Sequence, residues 1–237
     1  MILCSIISSK IMSSKSTLSD KIILQYIEKG EIIIEPFNIN NLSTSSYDVT
    51  LGEWYYREQD ITDEWTLPIY NIYSEEHVRN VWGEQHQARP YSYYKNHGII
   101  LENIGDDEKV IFINPGETIL AHTDEYIGGV SRTTTMMKAR SSMGRNFINV
   151  CSCAGWGDCG YFSRWTMEIK NNSKKYKIPL IVGKRIAQII FFETDGIIDK
   201  SYNDSGKYQT ANNLEELQKI WKPSDMIPKL YLEYKKK

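Results

Sequence analysis

The sequence is poor in the residues and patterns that mark several classes of protein. Its four cysteines are too few for a disulfide-stapled fold and indicate a reducing, cytoplasmic setting. No apolar run approaches the roughly 20 residues needed to cross a bilayer. A net charge of −2 gives no general attraction to nucleic acid or to a membrane surface. We therefore expect neither partner, and any anion-binding site must be local.

The cysteines do not have the pattern of a zinc site. Cys151, Cys153 and Cys159 include no Cys-x-x-Cys pair, and no pair of histidines lies near them in the sequence. The His-x-Glu and Pro-Cys-x-x-Cys signature of the zinc-dependent deaminases is also absent. We therefore expect no metal held by protein side chains.

The length of 237 residues suits one domain with appendages. Residues 1–17 contain only a short apolar patch and are predicted to be a disordered extension. Residues 18–209 are interpreted as the domain and residues 210–237 as a C-terminal tail. Within the domain, residues 53–98 are rich in aromatic side chains without a sustained period, which is typical of an insertion.

Many short alternating segments separated by turn residues predict a mainly-β sandwich or barrel. An apolar stripe predicts a helix of about ten residues between Ser19 and Gly30, and shorter helices are predicted near 73–82 and 213–221. The final KLYLEYKKK is expected to be partly disordered or to lie over a neighbouring subunit. The predicted strands are 31–35, 46–52, 110–113, 118–123, 132–138, 147–152, 162–170, 178–182 and 185–193.

The most informative stretch runs from 138 to 171 and holds three chemically distinct pieces. In RSSMGR (140–145), two guanidinium groups bracket two hydroxyls and a glycine, a set of donors that suits phosphate oxygens. AGWGDCGY (154–161) is a glycine-rich turn with a carboxylate. The alternation of WTMEI (165–169) predicts a half-buried strand with Thr166 and Glu168 on its polar face. Together these pieces favour a nucleotide-like anion with a reacting group at its far end.

These three pieces, in this order and spacing, resemble the dCTP deaminase family and its relatives, the trimeric dUTPases. The resemblance spans roughly residues 18–209 and implies a distorted jelly roll (the β-clip, dUTPase-like fold) with a short N-terminal helix. It also implies a homotrimer whose subunits share sites. Other segments that agree with the family's pattern are SSYDVTLG at 45–52, NPGETILAHTDE at 114–125, PLIVGKRIAQIIF at 179–191 and GKYQ at 206–209.

The resemblance implies hydrolysis of dCTP to dUTP and ammonia, in pyrimidine deoxynucleotide metabolism. Glu168 matches the family's catalytic glutamate, at a position where typical dUTPases carry an apolar residue. Arg145 and Ser141 match residues that position the water and bind the nucleotide. Asp158 matches the aspartate that meets the 3′-hydroxyl of the deoxyribose and that, in dUTPases, prepares water for attack on the α-phosphate. These four are the predicted catalytic residues, and the two carboxylates together permit a bifunctional enzyme that continues to dUMP and pyrophosphate.

The resemblance also implies a set of nucleotide-binding residues. Arg140 and the backbone of 142–144 would hold the triphosphate, with Mg²⁺ bound through its oxygens. Near the end of the domain, Tyr202 and Lys207 resemble residues that reach the base and the phosphates, and Gln209 lies near the family's glutamine. The full predicted set is Arg140, Ser141, Ser142, Met143, Gly144, Arg145, Asp158, Thr166, Met167, Glu168, Tyr202, Lys207 and Gln209.

The chain departs from the family's pattern at Gly157, where isoleucine is usual, and at Trp165, which replaces a smaller aliphatic residue. Gly155 and Trp156 resemble dUTPases and bifunctional enzymes, because monofunctional deaminases tend to have histidine and arginine there. Two alternatives to a deaminase stay open. One is a dUTPase only, in which Glu168 is retained without function; the other is a non-catalytic trimeric jelly-roll module that binds nucleotide.

Overall fold

The computed structural model describes residues 17–60, 68–196, 202, 206–209, 211 and 213–234. The predicted extension 1–17, apart from Thr17, and the last three lysines lie outside the described residues. Among the helices of the described part, none has the length and apolar character needed to traverse a membrane.

The described residues form a mainly-β fold, which confirms the predicted fold class. The helices are α1 (Asp20–Glu28), α2 (Glu75–Trp82), α3 (Tyr91–Asn96), α4 (Ser141–Arg145) and α5 (Leu214–Ile220). The strands are β1 (Ile32–Glu35), β2 (Leu42–Ser43), β3 (Ser46–Arg57), β4 (His86–Gln87), β5 (Arg89–Pro90), β6 (Lys109–Ile113), β7 (Thr118–Gly129), β8 (Thr133–Ala139), β9 (Ile148–Asn149), β10 (Trp156–Gly157), β11 (Phe162–Asn171), β12 (Ile178–Ile181) and β13 (Arg185–Glu193).

One large antiparallel sheet forms the body of the domain, in the order β10-β8-β13-β3-β7-β11-β9. Strand β7 is its centre: one edge pairs with β11, and the other pairs with β3 and then with β1. A small sheet of β12, β6 and β5 adjoins it. The inward faces of these strands are mainly isoleucine, valine and leucine, and their burial drives the sheets together.

Strand β11 has the predicted alternation. Trp165, Met167 and Ile169 are buried in the core, whereas Thr166 and Glu168 lie on the opposite face. Glu168 pairs with Leu120 of β7 across the sheet. The β11 register therefore directs one carboxylate away from the main core, over a second and smaller apolar cluster.

Local structure departs from the sequence predictions at one strand and adds detail at two other places. The predicted strand 147–152 ends at Asn149, because Cys151 and Cys153 adopt positive φ angles of 56° and 75° and turn the chain. Helix α3 lies within the possible insertion 53–98, where the sequence indicated only the helix near 73–82. The described part of KLYLEYKKK is ordered on this chain: Leu230–Glu233 is a 3-10 helix, and its Tyr231 is buried with Tyr56, Val78 and Leu120.

His122 is buried in the centre of β7, with only 1% of its surface exposed. A neutral imidazole satisfies both of its neighbours, since Nδ1 donates to the Thr123 carbonyl at 2.8 Å and Nε2 accepts from the Trp54 N–H at 3.3 Å. The ring lies so close to Gly52 that a Cβ there would come within 2.0 Å of it. Desolvation by burial lowers the His122 pKa to about 4.

The buried histidine predicts a pH dependence of stability. Between about pH 6.5 and 4 an unfolded His122 binds a proton that the folded one does not, so stability is complete above this window and falls as the pH falls through it. The contribution is about 3 kcal/mol across the window. Urea unfolding of wild type and His122→Gln at several pH values should therefore give two curves that converge as the solution is acidified.

The comparison with His122→Gln cancels the contributions of other titratable groups. Burial raises the pKa of Glu125, for example, so its contribution to stability grows as the pH falls, opposite to that of His122. His97→Gln is the matched control, because His97 is exposed on α3's C-terminal side. Its curve should run parallel to that of wild type. Parallel curves for His122→Gln as well would contradict a neutral, buried His122.

Candidate active site

A cavity of about 570 Å³ opens over the face of the large sheet that carries Thr166 and Glu168. Its volume lies in the usual range for small-molecule sites. Four parts of the chain close around it: residues 70–82, strands β7 and β11, the turn before β11, and the C-terminal segments. The lining residues are Tyr70, Ile72, Trp82, Leu120, Ala154, Trp156, Gly157, Asp158, Tyr161, Trp165, Thr166, Glu168, Tyr202, Tyr208, Met226, Pro228 and Leu230.

Glu168 is the chemically unusual group in this cavity. Its Oε2 atom is buried and has no hydrogen-bond partner among the described residues. Desolvation by burial raises the pKa of its carboxyl above the usual range, and the hydrogen bond from its own backbone N–H opposes this only in part. A carboxyl group with such surroundings is a better proton acceptor than an exposed one and is a candidate for acid–base catalysis.

Asp158 lies at the edge of the same cavity and is exposed, unlike Glu168. The turn that carries it is fixed by the Tyr161 N–H, which donates to the Asp158 carbonyl at 3.0 Å, and by the pairing of β10 with β8. The cavity therefore holds two carboxylates in different environments, one desolvated and one hydrated. Such a difference is typical of acids that have different chemical roles.

Gly157 and Trp165, two of the positions where the sequence departs from the family's pattern, compensate each other. A Cβ at Gly157 would lie 2.6 Å from atoms of the Trp165 ring and 2.4 Å from the Thr135 hydroxyl. The large indole thus occupies the space that a side chain at 157 would take. It is fixed there because its Nε1 donates to the Ile127 carbonyl at 2.8 Å. The absence of a side chain at 157 and the large side chain at 165 therefore fit each other.

Of the predicted binding residues between 202 and 209, only some lie at the cavity. Tyr202 lines it and meets Tyr161 edge to face, with ring centroids 5.0 Å apart. Lys207 does not line it and forms an ion pair with Glu233 instead. Gln209 is also elsewhere, since its Oε1 accepts the Phe162 N–H at 2.9 Å.

The arginine-serine segment lies apart from the cavity. Within the described part of the chain, no residue of 140–145 is among the lining residues. Ser141, Ser142, Gly144 and Arg145 are exposed on α4, whereas Met143 packs on the core. The described chain therefore does not bring these predicted binding residues to the cavity that holds Glu168.

Arg140 forms an ion pair with Asp48 of the same chain. The Arg140 Nε lies 3.2 Å from Asp48 Oδ2, and Arg185 Nη1 lies 3.3 Å from the same atom. Asp48 is 7% exposed, so two arginines neutralise a largely buried carboxylate. This arrangement fixes the start of α4, whereas Arg145 at its end is exposed.

The structure also adds lining residues that sequence reasoning missed. Trp82 and Leu120 belong to an apolar cluster with Met226, and all three line the cavity. Tyr161 and Tyr208 complete an aromatic wall around Tyr202. Met167, predicted as a binding residue, is fully buried, so its side chain faces the core. No sequence signal indicated that residues 226–230 return to this site.

Comparison with known proteins identifies the family of this chain. The family model described as dCTP deaminase-like matches residues 17–194. The "dCTP deaminase, dUMP-forming" of Hydrogenobaculum sp. is 35% identical over 182 residues, which make up 76% of this chain and 84% of that protein. The protein of the same name from Methanosphaera stadtmanae is 30% identical over 89% of this chain and 96% of its own length.

A solved structure shares the fold. The crystal structure of 2′-deoxycytidine 5′-triphosphate deaminase from Agrobacterium tumefaciens matches 76% of this chain with a TM-score of 0.51 at 17% identity. The match covers 49% of that chain, about half of its length. With the family model matching most of the sequence and relatives above 30% identity, the chain belongs to the dCTP deaminase-like family.

Proposed function

We propose that this protein deaminates dCTP and carries the product on to dUMP and pyrophosphate. The observation that supports this most directly is Glu168, a desolvated carboxyl with an unpartnered oxygen in a cavity that also contains the hydrated Asp158. A dUTPase has no need of a proton-shuttling acid at this end of the site. The names of the relatives, dCTP deaminase with dUMP as the product, point the same way.

Deamination requires two proton transfers, one from water to Glu168 and one from Glu168 to the departing amine. As water attacks C4 of cytosine, Glu168 takes one of its protons; as the C4–N4 bond breaks, the same group gives that proton to the departing amine, which leaves as ammonia. The raised pKa of Glu168 suits both halves of this cycle, because a carboxylate with a higher pKa is a stronger base toward water and then holds the proton for the departing amine. The net reaction is dCTP plus water to dUTP plus ammonia.

The second step is hydrolysis of dUTP at the α-phosphate. Asp158 would contact the 3′-hydroxyl of the deoxyribose and, as a hydrated carboxylate, orient the water that attacks phosphorus. The bond to the β-phosphate then breaks, and pyrophosphate leaves. Gly155 and Trp156 before this aspartate are the pattern that resembles dUTPases and bifunctional enzymes, which favours this step over release of dUTP.

Mg²⁺ would enter with the triphosphate. Within the described residues no group of three histidine, cysteine, aspartate or glutamate side chains is positioned to hold a metal ion. The exposed hydroxyls and guanidinium of 141–145 instead fit phosphate oxygens, so these residues would bind the triphosphate that carries the ion. Bound in this way, Mg²⁺ neutralises phosphate charge.

The site is completed by a neighbouring subunit in this proposal. The exposed Arg145 and Ser141 and the cavity with Glu168 are both needed for the reaction, yet one subunit keeps them apart. A homotrimer with cyclic symmetry would bring the α4 of one subunit to the cavity of the next. Arg145 and Ser141 would then bind the nucleotide and position the attacking water.

Substitutions of the two carboxylates should impair different steps of the reaction. Glu168→Gln keeps the shape but cannot move a proton, so ammonia release from dCTP should fall by about 10²–10⁴, with little change in dCTP affinity. Hydrolysis of added dUTP should survive, because that reaction occurs at the α-phosphate. Asp158→Asn should instead lower dUTP hydrolysis and weaken the preference for a deoxy sugar. Ammonia and dUMP assays on both substrates measure these rates.

If Glu168→Gln released ammonia at the wild-type rate, the proposed acid–base role would be wrong. If dUTP hydrolysis fell equally in both variants, the division of labour between the two carboxylates would be wrong. Wild-type protein that hydrolyses dUTP but never releases ammonia would instead support the dUTPase-only alternative.

Sharing of sites between subunits predicts complementation. Arg145→Ala and Glu168→Gln should each be inactive as deaminases. Mixed trimers formed by co-expression should regain activity at sites that receive Arg145 from one subunit and Glu168 from its neighbour. For random mixing in equal amounts, about one quarter of the sites are intact.

The matched control is a mixture of Arg145→Ala with the double variant Arg145→Ala, Glu168→Gln, which contains no intact pair and should stay inactive. Light scattering should give the mass of a trimer for each preparation. A monomeric mass with full wild-type activity, or mixed trimers that stay inactive, would contradict a shared site.

A further inference from the structure

The C-terminal segment, defined here as residues 221–233, lies beyond the region matched by the family model, which ends at residue 194. It returns to the cavity face of the sheet and is anchored there by Trp221. The indole lies 4.8 Å from the His122 ring and 4.9 Å from the Arg164 guanidinium. Arg164 is in turn fixed by Tyr126 at 4.9 Å and by Asp124 at 3.5 Å. Such a sandwiched arginine is a firm attachment point.

Beyond this anchor the segment packs into the fold as a small core of its own. Met226, Ile227 and Tyr231 are 3%, 8% and 8% exposed. They form one apolar cluster with Tyr56, Val78 and Leu120, flanked by Trp54, Trp82 and Trp221. Leu120 is the residue that pairs with Glu168 across β7 and β11. The cluster therefore extends directly to the catalytic carboxyl.

The segment also contributes wall residues of its own and holds the preceding tail. Met226, Pro228 and Leu230 line the cavity together with Glu168. The Lys229 N–H donates to the Tyr208 hydroxyl at 3.2 Å, and Lys207 forms an ion pair with Glu233. Tyr208, another lining residue, is thereby tied to the segment.

The wall that the segment adds is free of charge. The other titratable groups at the cavity are Asp158, exposed at its edge, and the tyrosines Tyr70, Tyr161, Tyr202 and Tyr208. Cys151 lies near Glu168, and burial, followed by the charge of Glu168, raises its pKa to about 11. Tyrosine and cysteine are uncharged at acidic and neutral pH. Desolvation is accordingly the main influence on Glu168, and apolar wall residues control desolvation.

We propose that the C-terminal segment is a fixed wall of the active site, whose Met226, Pro228 and Leu230 keep water from Glu168 and so set the pH range of deamination. This inference rests on the proposed function. It makes these three residues positioning residues: they do not touch the reacting atoms through a polar group, and they act through the solvation of Glu168.

The test is the pH profile of kcat/KM for ammonia release from dCTP, measured on the full chain. Leu230→Ser admits water beside Glu168, which lowers the pH at which the carboxyl ionises. The acid limb of the profile should move to lower pH by about one unit. Leu230→Met keeps an apolar wall of similar volume and should retain the wild-type limb.

Leu232→Ser is the matched control, because Leu232 is two residues further along, 44% exposed and absent from the cavity lining. Its profile should coincide with that of wild type. Circular dichroism checks that each variant is folded, and Leu230→Ala, a milder change in the same direction, replaces Leu230→Ser if the latter is unfolded.

An acid limb that does not move in folded Leu230→Ser or Leu230→Ala would overturn the proposed wall. If kcat also rose at every pH, the segment would instead be an obstruction of the site.

If wild type released no ammonia, the proposed function would fail, and the wall would be judged separately. A ¹³C NMR titration of labelled glutamate carboxyls, assigned with Glu168→Gln, follows Glu168 without substrate. A lower midpoint in Leu230→Ser supports the wall; an unchanged midpoint overturns it.

Discussion

The pairing of β7 with β11 is the constraint on which the site depends. Because side chains alternate along a strand, a register that buries Trp165, Met167 and Ile169 necessarily puts Glu168 on the other face, opposite Leu120. The ladder is interrupted once, where Trp165 opposes three residues of β7, and the Thr123 hydroxyl accepts its N–H at 2.9 Å. This irregularity lets the large indole enter the core without a change of face for Glu168.

The remaining features of the site follow from what covers that face. A carboxylate on an open sheet surface would be solvated and would titrate normally. Here the turn 154–161, Tyr202, Tyr208 and the C-terminal segment cover it, while Asp158 stays at the hydrated edge. One cavity therefore offers two carboxylates with different solvation. This difference is the physical basis for assigning proton transfer to one and phosphate hydrolysis to the other.

Much of this could be predicted from the sequence, because the signals involved are local. Alternation predicted β11 and its polar face, and turn residues predicted the strand-rich fold. This cover could not be predicted, since Met226 and Leu230 reach the cavity through contacts with residues more than a hundred positions away. The separation of Arg145 from the cavity does not follow from spacing along the chain, which places residues 140–145 close to Glu168 in the sequence; only the resemblance to trimeric enzymes pointed to it. The early end of β9 escaped prediction because two cysteines adopt a backbone conformation that is rare for them.

The most direct test of the central claim is a single incubation of the full chain with dCTP and Mg²⁺, in which ammonia, dUTP, dUMP and pyrophosphate are all quantified over time. The account predicts equimolar ammonia, dUMP and pyrophosphate, with little free dUTP at any time. Ammonia with accumulating dUTP would limit the enzyme to deamination. An absence of ammonia, with dUMP formed only from added dUTP, would contradict the account and make the protein a dUTPase.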